Sequence, residues 1–240
     1  MNRKVVRLAL VSAVLGAISA QAAVNYTRVG SVTAVTPYDA SFGGGTLAFG
    51  NHAPAQSVVA ESFASANFAQ SFKGNGEQLE GVAFFGNGAG TFSISLLDFG
   101  TTGPIDTYAE YNPVTPATVL VTSTFTMTSS PDSQLYFDFT GGSSVLLASS
   151  NYYAIKITGS GQTAGTIYRY GSAGSLYANG TGAKGATDLN PDGFAGVGAG
   201  RDASFAVYTA TAVPEPSSFA ALVGAMMLGV AGLRRRRAAK

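Results

Sequence analysis

Thr91-Phe92-Ser93-Ile94-Ser95-Leu96-Leu97-Asp98 is the stretch that decides the fold class. Phe92, Ile94 and Leu96 alternate with Thr91, Ser93 and Ser95. A period of two sends one set of side chains to one face of an extended strand and the other set to the opposite face. Working outward, the same alternation recurs. Leu135, Phe137 and Phe139 flank Tyr136 and Asp138; Tyr153, Ile155 and Ile157 flank Ala154 and Lys156; Phe205 and Val207 flank Ala206. Gly-Asn-Gly (Gly74-Asn75-Gly76 and Gly86-Asn87-Gly88), Gly100-Thr101-Thr102-Gly103-Pro104, Ser129-Ser130-Pro131-Asp132, Thr140-Gly141-Gly142-Ser143 and Gly159-Ser160-Gly161 separate the runs and read as turns. No helical pattern stands out between Val24 and Ala212. About nine to eleven short strands are expected, which predicts an all-β domain of β-sandwich type rather than one small barrel.

Composition limits the chemistry. The 240 residues hold 14 basic and 13 acidic side chains, but the balance is uneven along the chain. Residues 23–212 carry six basic residues (Arg28, Lys73, Lys156, Arg169, Lys184, Arg201) against twelve acidic ones, so the near-neutral total hides an acidic domain with basic ends. Nucleic acid is not an expected partner, because binding it relies on a basic face. The chain has no Cys, which excludes disulfides, thiolate nucleophiles and Cys-ligated metals. His52, its one His, excludes a multi-His metal centre.

The two ends differ from the middle. Arg3, Lys4 and Arg7 precede an apolar run from Leu8 to Ile18, and Ala20-Gln21-Ala22 fits the small-x-small rule for signal peptidase. Residues 1–22 are therefore read as a secretory signal cleaved near Ala20 and Ala22; the alternative is an anchor that stays. At the other end, Val213-Pro214-Glu215-Pro216-Ser217-Ser218 precedes an apolar run from Phe219 to Leu233, followed by Arg234, Arg235, Arg236 and Arg237. Ser217 to Leu233 is 17 residues, roughly 25 Å as a helix, and long basic side chains can snorkel to the interface to complete a span. The arginines would stay cytoplasmic, leaving the acidic domain outside.

Pro-Glu-Pro, a short apolar helix and an arginine cluster in that order closely resemble the PEP-CTERM sorting signal. The resemblance covers residues 213–240 only. It implies that Pro214, Glu215 and Pro216 form the recognition motif and Arg234 to Arg237 the retention cluster. It also implies that an exosortase, a membrane-embedded protease or transpeptidase of exopolysaccharide-producing Gram-negative bacteria, processes the tail. A permanent inner-membrane anchor is the alternative. The middle of the chain, residues 23–212, resembles more diffusely a jelly-roll domain frequent in such proteins and related to carbohydrate-binding modules. Gln70-Ser71-Phe72, Leu79 to Phe85, Thr91 to Asp98, Leu135 to Phe139, Asn151 to Lys156 and Asp202 to Tyr208 carry that likeness, and it brings no catalytic motif.

Few residues in the exported domain suggest chemistry. No Gly-x-Ser-x-Gly elbow occurs, and His52 in Gly50-Asn51-His52-Ala53-Pro54 reads as a loop residue rather than a triad member. Glu77 and Glu80 flank a strand start and are expected to face solvent, not to form a glycosidase pair. Gly180-x-Gly182-x-x-Gly185 fits a dinucleotide pattern but lacks its strand–helix context and reads as a flexible loop. Asp188-Leu189-Asn190-Pro191-Asp192-Gly193 spells the first half of a calcium loop, with Asp188, Asn190 and Asp192 as oxygen ligands. Its twelfth position is Ala199, Asp202 nearby could substitute in another geometry, and an Asx-rich turn is the alternative. Tyr168 and Tyr170 share one face of a strand, and Tyr177 follows; such rings stack on sugars or pack into a half-buried sheet. The expectation is a non-catalytic surface or biofilm-matrix protein without an obligatory cofactor. A lectin-like module for exopolysaccharide and a secreted hydrolase are the alternatives.

Overall fold

The computed structural model describes residues 24–30, 38–51, 58–62, 67–112, 117–128, 131–140, 144–159, 164–170, 177–185, 188–189 and 202–211. Among them the chain is all-β, built on one large antiparallel sheet with a single short helix. The strands are β1 (Asn25–Val29), β2 (Ser41–Phe42), β3 (Gly45–Asn51), β4 (Val58–Ser62), β5 (Asn67–Lys73) and β6 (Gln78–Asp98). After the helix α1 (Tyr108–Tyr111) come β7 (Thr118–Met127), β8 (Ser133–Asp138), β9 (Val145–Leu146) and β10 (Tyr152–Gly159). The last three are β11 (Ala164–Tyr170), β12 (Gly182–Gly185) and β13 (Phe205–Ala210).

At 21 residues, β6 is far longer than an ordinary strand and belongs to two wings of the sheet. Its first part pairs with β13, β8, β9 and β11, while its second part pairs with β10 and β7. Beyond these neighbours, β13 carries β3 and then β2, β8 carries β1, and β11 carries β4. In the second wing, β10 carries β5 and then β12. Val82 thus lies between Val207 and Phe137, whereas Ile94 lies between Ile157 and Ser123.

The crossing from one wing to the other is Gly86-Asn87-Gly88-Ala89-Gly90. Gly-Asn-Gly, expected as a turn, occurs twice and the copies differ: Gly74-Asn75-Gly76 connects β5 to β6, whereas at Gly86-Asn87-Gly88 the strand continues without interruption. Glycine serves here for closeness and bending instead of reversal. A Cβ on Gly86 would lie 2.2 Å from the carbonyl oxygen of Thr166 in β11. Gly90 sits at φ 113°, a conformation that side-chain-bearing residues rarely adopt.

Because β6 bends, the inward faces of the wings meet in one core. Phe92, Ile94, Leu96, Phe68 and Ile157 from one wing join Phe84, Leu135, Phe137, Phe205 and Val207 from the other. Ring contacts stitch the halves: Phe68 meets Phe84 edge-on at 5.4 Å, and Phe125 meets Phe137 edge-on at 4.9 Å. Each fully buried ring of this kind contributes about 1.5–3 kcal/mol. The outer faces are partly covered as well. Tyr38, Ala83, Phe85, Tyr136, Ala206 and Tyr208 form a second cluster, which is why Tyr136 and Ala206 are buried although alternation places them outward. The Tyr208 hydroxyl donates to the Asp39 carbonyl at 3.0 Å, and burial pushes its ionisation upward.

Two consequences are measurable. Gly86→Ala and Gly90→Ala are each expected to destabilise the fold, the second by about 1–3 kcal/mol through backbone strain, as read by chemical denaturation. Among the described residues the buried Tyr26 hydroxyl has no hydrogen-bond partner, while its ring packs on Phe125 and Phe137. Tyr26→Phe keeps the ring and removes the unsatisfied group, so it is expected to be neutral or stabilising in the same measurement.

Candidate functional site

The most elaborated surface lies on the outer face of the second wing, where the segment from Phe99 to Asn112 folds over β5, β10 and β12. Small residues make the landing ground: Ala69, Ala154 and Ala183 are buried beneath Ile105, Tyr111 and Leu189. Ser71 Oγ donates to the Ile105 carbonyl at 2.6 Å and accepts from the Thr181 N–H at 2.9 Å. The Tyr111 hydroxyl donates to the Thr181 carbonyl and accepts from the Ser71 N–H. Its complete burial pushes the phenol's ionisation well up, so it stays neutral.

A capping box organises α1. Glu110 N–H reaches Thr107 Oγ1 at 3.4 Å, and Glu110 Oε2 accepts the Thr107 N–H at 2.8 Å and the Asp106 N–H at 3.0 Å. Burial raises the Asp106 carboxyl, and its hydrogen bond to the neighbouring Glu110 raises it further. Burial acts upward on Glu110 too, but the Asp106 and Thr107 donors outweigh it and hold that carboxyl below its ordinary range. The Thr107-x-x-Glu110 signature was present in the sequence, yet a helix of four residues is too short to show a period.

α1 holds the beginning of the Asp188 stretch. Asn112 donates from Nδ2 to the Leu189 carbonyl at 2.7 Å and accepts the Leu189 N–H at Oδ1 at 3.1 Å. The exposed Tyr108 hydroxyl donates to Asp188 Oδ2 at 2.7 Å, and that bond raises the phenol's ionisation. Asp188 is thus an exposed carboxylate held beside an aromatic ring. Asn190 and Asp192, the other two proposed calcium ligands, lie outside the described residues. Among the described residues, no group of three or more His, Asp or Glu side chains is placed to hold a metal ion.

The remaining candidates fall in several places. Tyr168 and Tyr170 belong to β11, where their backbones pair with Ala60 and Val58; their side chains lie outside the description. Tyr177 is half-buried, with its ring stacked on Phe49 at 5.5 Å and set edge-on to Phe205 at 5.7 Å. Its hydroxyl accepts the Lys73 N–H at 3.1 Å, and its own N–H donates to the fully buried Asp202 at 2.7 Å. Asp202 also accepts from Gln70 Nε2 at 3.1 Å, which links the start of β13 to β5. Asp202, which the sequence offers as a substitute calcium ligand, is instead buried and accepts these bonds, and alternation does not mark Gln70, a polar residue in a core position.

Two readings from the sequence are corrected. Glu77 and Glu80 do not simply face solvent: both are half-buried. Glu77 accepts from Thr209 Oγ1 and from Asn75 Nδ2, and Glu80 accepts from Ser144 Oγ at 3.2 Å. The Gly180–Gly185 stretch is not a flexible loop. Gly182–Gly185 is β12, paired with β5, and a Cβ on Gly180 would lie 2.2 Å from the Ser71 carbonyl oxygen. His52, Ala20, Ala22, Pro214, Glu215, Pro216 and Arg234 to Arg237 lie outside the described residues. Among the described residues no helix is long and apolar enough to cross a membrane; this does not bear on the run from Phe219 to Leu233. Comparison of the chain with family models, with curated proteins and with solved structures returned no match.

The cap gives a pH-dependent prediction. A carboxyl held below its unfolded value stabilises the fold when ionised, and that part is lost as pH falls through its folded value. Glu110→Gln is therefore expected to lower the melting temperature at neutral pH and to have little effect in acid, where the wild-type side chain is already protonated. Thr107→Ala should cost about 0.5–2 kcal/mol at neutral pH, measured by thermal denaturation.

Proposed function

We propose that this chain is the precursor of an exported bacterial surface or extracellular-matrix protein, structural or adhesive in kind and not catalytic. In this reading a jelly-roll-like β-sandwich is carried to the inner membrane by residues 1–22 and held there by the tail. The sorting motif Pro214-Glu215-Pro216 waits at the outer interface for an exosortase-type protease, after which the domain is released or attached outside the cell.

One observation carries the reading. The motif, the apolar run from Phe219 to Leu233 and the four arginines from Arg234 to Arg237 follow one another within 28 residues. Proline cannot continue a helix or a sheet ladder, so two of them around Glu215 favour a segment that a protease could seize. Four arginines resist passage through hydrocarbon, where even one at a helix centre costs about 2.5–3.5 kcal/mol on insertion scales. The sandwich assignment draws support from the two wings that share β6 and face one another across a single core. A structural role draws support from how carboxylates are used. Asp98 Oδ1 accepts from the Gly100 N–H at 2.7 Å, Asp138 Oδ1 accepts from the Thr140 N–H at 2.7 Å, and Glu110 caps α1, so each fixes a turn or loop.

The test is replacement of Pro214, Glu215 and Pro216 by Ala in the producing bacterium. The expected result is accumulation of protein lacking only the signal in the inner membrane, whereas the wild type yields a surface or released form without Phe219 to Lys240. Neutral residues at Arg234 to Arg237 should impair retention and reduce processing. Recovery of a mature secreted form that still ends in a peptide containing Lys240 overturns the proposal.

A further inference from the structure

The first strand enters and the last strand leaves at the same end of the first wing. β1 begins at Asn25, level with Asp138 of β8, and Asp138 is level with Gly81 of β6. β13 runs down the other flank of β6, where Tyr208 is level with Gly81 and Ala210 with Gln78. The order β1-β8-β6-β13 leaves three strand spacings between entry and exit, about 14 Å. The far end of the wing is well separated from both. Val29 is level with Gln134 and so with Phe85, seven residues along β6 from Gln78, which is roughly 23 Å.

Little chain separates this end from the two apolar runs. Seven residues lead from Ile18, where the first run stops, to Asn25, and nine lead from Ala210 to Phe219, where the second begins. Fully extended, these stretches reach at most about 25 Å and about 32 Å. Wherever Phe219 to Leu233 enters a bilayer, the end of the sheet at Ala210 is therefore the part of the domain held against it.

That end also carries an apolar side chain in the open. Leu146 of β9 is 58 % exposed and lies level with Gln78, on the flank of β6 opposite Ala210. Two strand spacings, about 10 Å, separate it from the exit of the chain. A single exposed leucine means little by itself; its place beside the tether gives this one a use. The carboxylates at the same end are taken up within the domain. Glu77 accepts from Thr209 Oγ1, Glu80 from Ser144 Oγ and Asp138 from the Thr140 N–H. The contact on offer there is apolar, not ionic.

We propose that this end of the first wing is the membrane-facing surface of the anchored precursor, with Leu146 seated in the interfacial layer of the bilayer. The proposal rests on the reading of Phe219 to Leu233 as a membrane segment and adds how the domain stands on the lipid.

The chain has no cysteine, so single labels can be placed. Leu146→Cys and Val29→Cys put a thiol at exposed apolar positions on opposite ends of the wing. Each full-length variant is labelled with an environment-sensitive fluorophore and reconstituted into phosphatidylcholine vesicles that contain a lipid with a nitroxide on its headgroup. The label at position 146 is expected to shift to the blue and to be quenched several-fold more strongly than the label at position 29. Ser41→Cys, exposed at the same end on β2, repeats the measurement should Leu146→Cys fold poorly, and is also expected to exceed position 29. Equal quenching at the two ends, or stronger quenching at position 29, overturns the proposal while leaving the tail reading intact. A blue shift at position 146 without quenching means that protein covers Leu146, and overturns it too. If the protein does not float with the vesicles, the tail is not a membrane segment and both readings fall.

Discussion

The fold depends on one strand that is shared. β6 supplies the central partner for β8 and β13 at one end and for β7 and β10 at the other, so the wings cannot form independently of it. What lets one strand do this is the run in which Gly86, Gly88 and Gly90 alternate with Asn87 and Ala89. With a Cβ at Gly86, β11 could not approach closely enough to keep its hydrogen bonds. With a regular residue at Gly90, the strand would resist the bend that turns Phe92, Ile94 and Leu96 toward the rings of the opposite wing. Strand pairing and core packing are therefore two results of the same glycine-rich corner.

Polar groups are used mostly to fix the places where the sheet would otherwise be loose. The buried pair of Gln70 and Asp202 ties β5 to the entry of β13 across the core. Ser71 and Tyr111 bind the outer segment to β5 by their side chains, beside the main-chain bond from the Ser71 N–H to the Thr181 carbonyl. The tyrosines on the other outer face do the same for residues near Asp39. Apart from the Asp202 carboxyl and the Tyr26 hydroxyl, the described interior relies on hydroxyls and amides, which bring hydrogen bonds without the cost of desolvating an ion.

The sequence made the strands legible where one face is wet. Phe92, Ile94 and Leu96 are buried and Ser93 and Ser95 are not, as period-two patterning requires. It was less informative where both faces are covered. Tyr136 and Ala206 sit at positions that alternation assigns to solvent, yet each is enclosed by the outer tyrosine cluster. Glycine misled in two ways, at Gly86-Asn87-Gly88 and at Gly180 to Gly185. The residue type that permits a turn also permits close approach of two backbones, and composition does not separate the two. Pairing order and register, which set Ile94 between Ile157 and Ser123, arise from contacts distant in sequence that no local pattern encodes. Of the outer platform, Asp188 was named from its motif, whereas its neighbours Tyr108 and Asn112 come from a segment some 80 residues earlier and carry no signature linking them to it.

The last strand has a mechanical meaning. β13 ends at Ala210, a few residues before Pro214, and it lies inside the sheet with β3 on one flank and β6 on the other. A pull entering the domain from that direction travels along β13 and loads two antiparallel ladders in shear at the same time. Peeling one edge bond after another is not open to it, as it would be for β1 or β12. Tension from a tether on this side would therefore be met by a strand braced on both flanks, and its load would pass directly into β6 and from there into both wings.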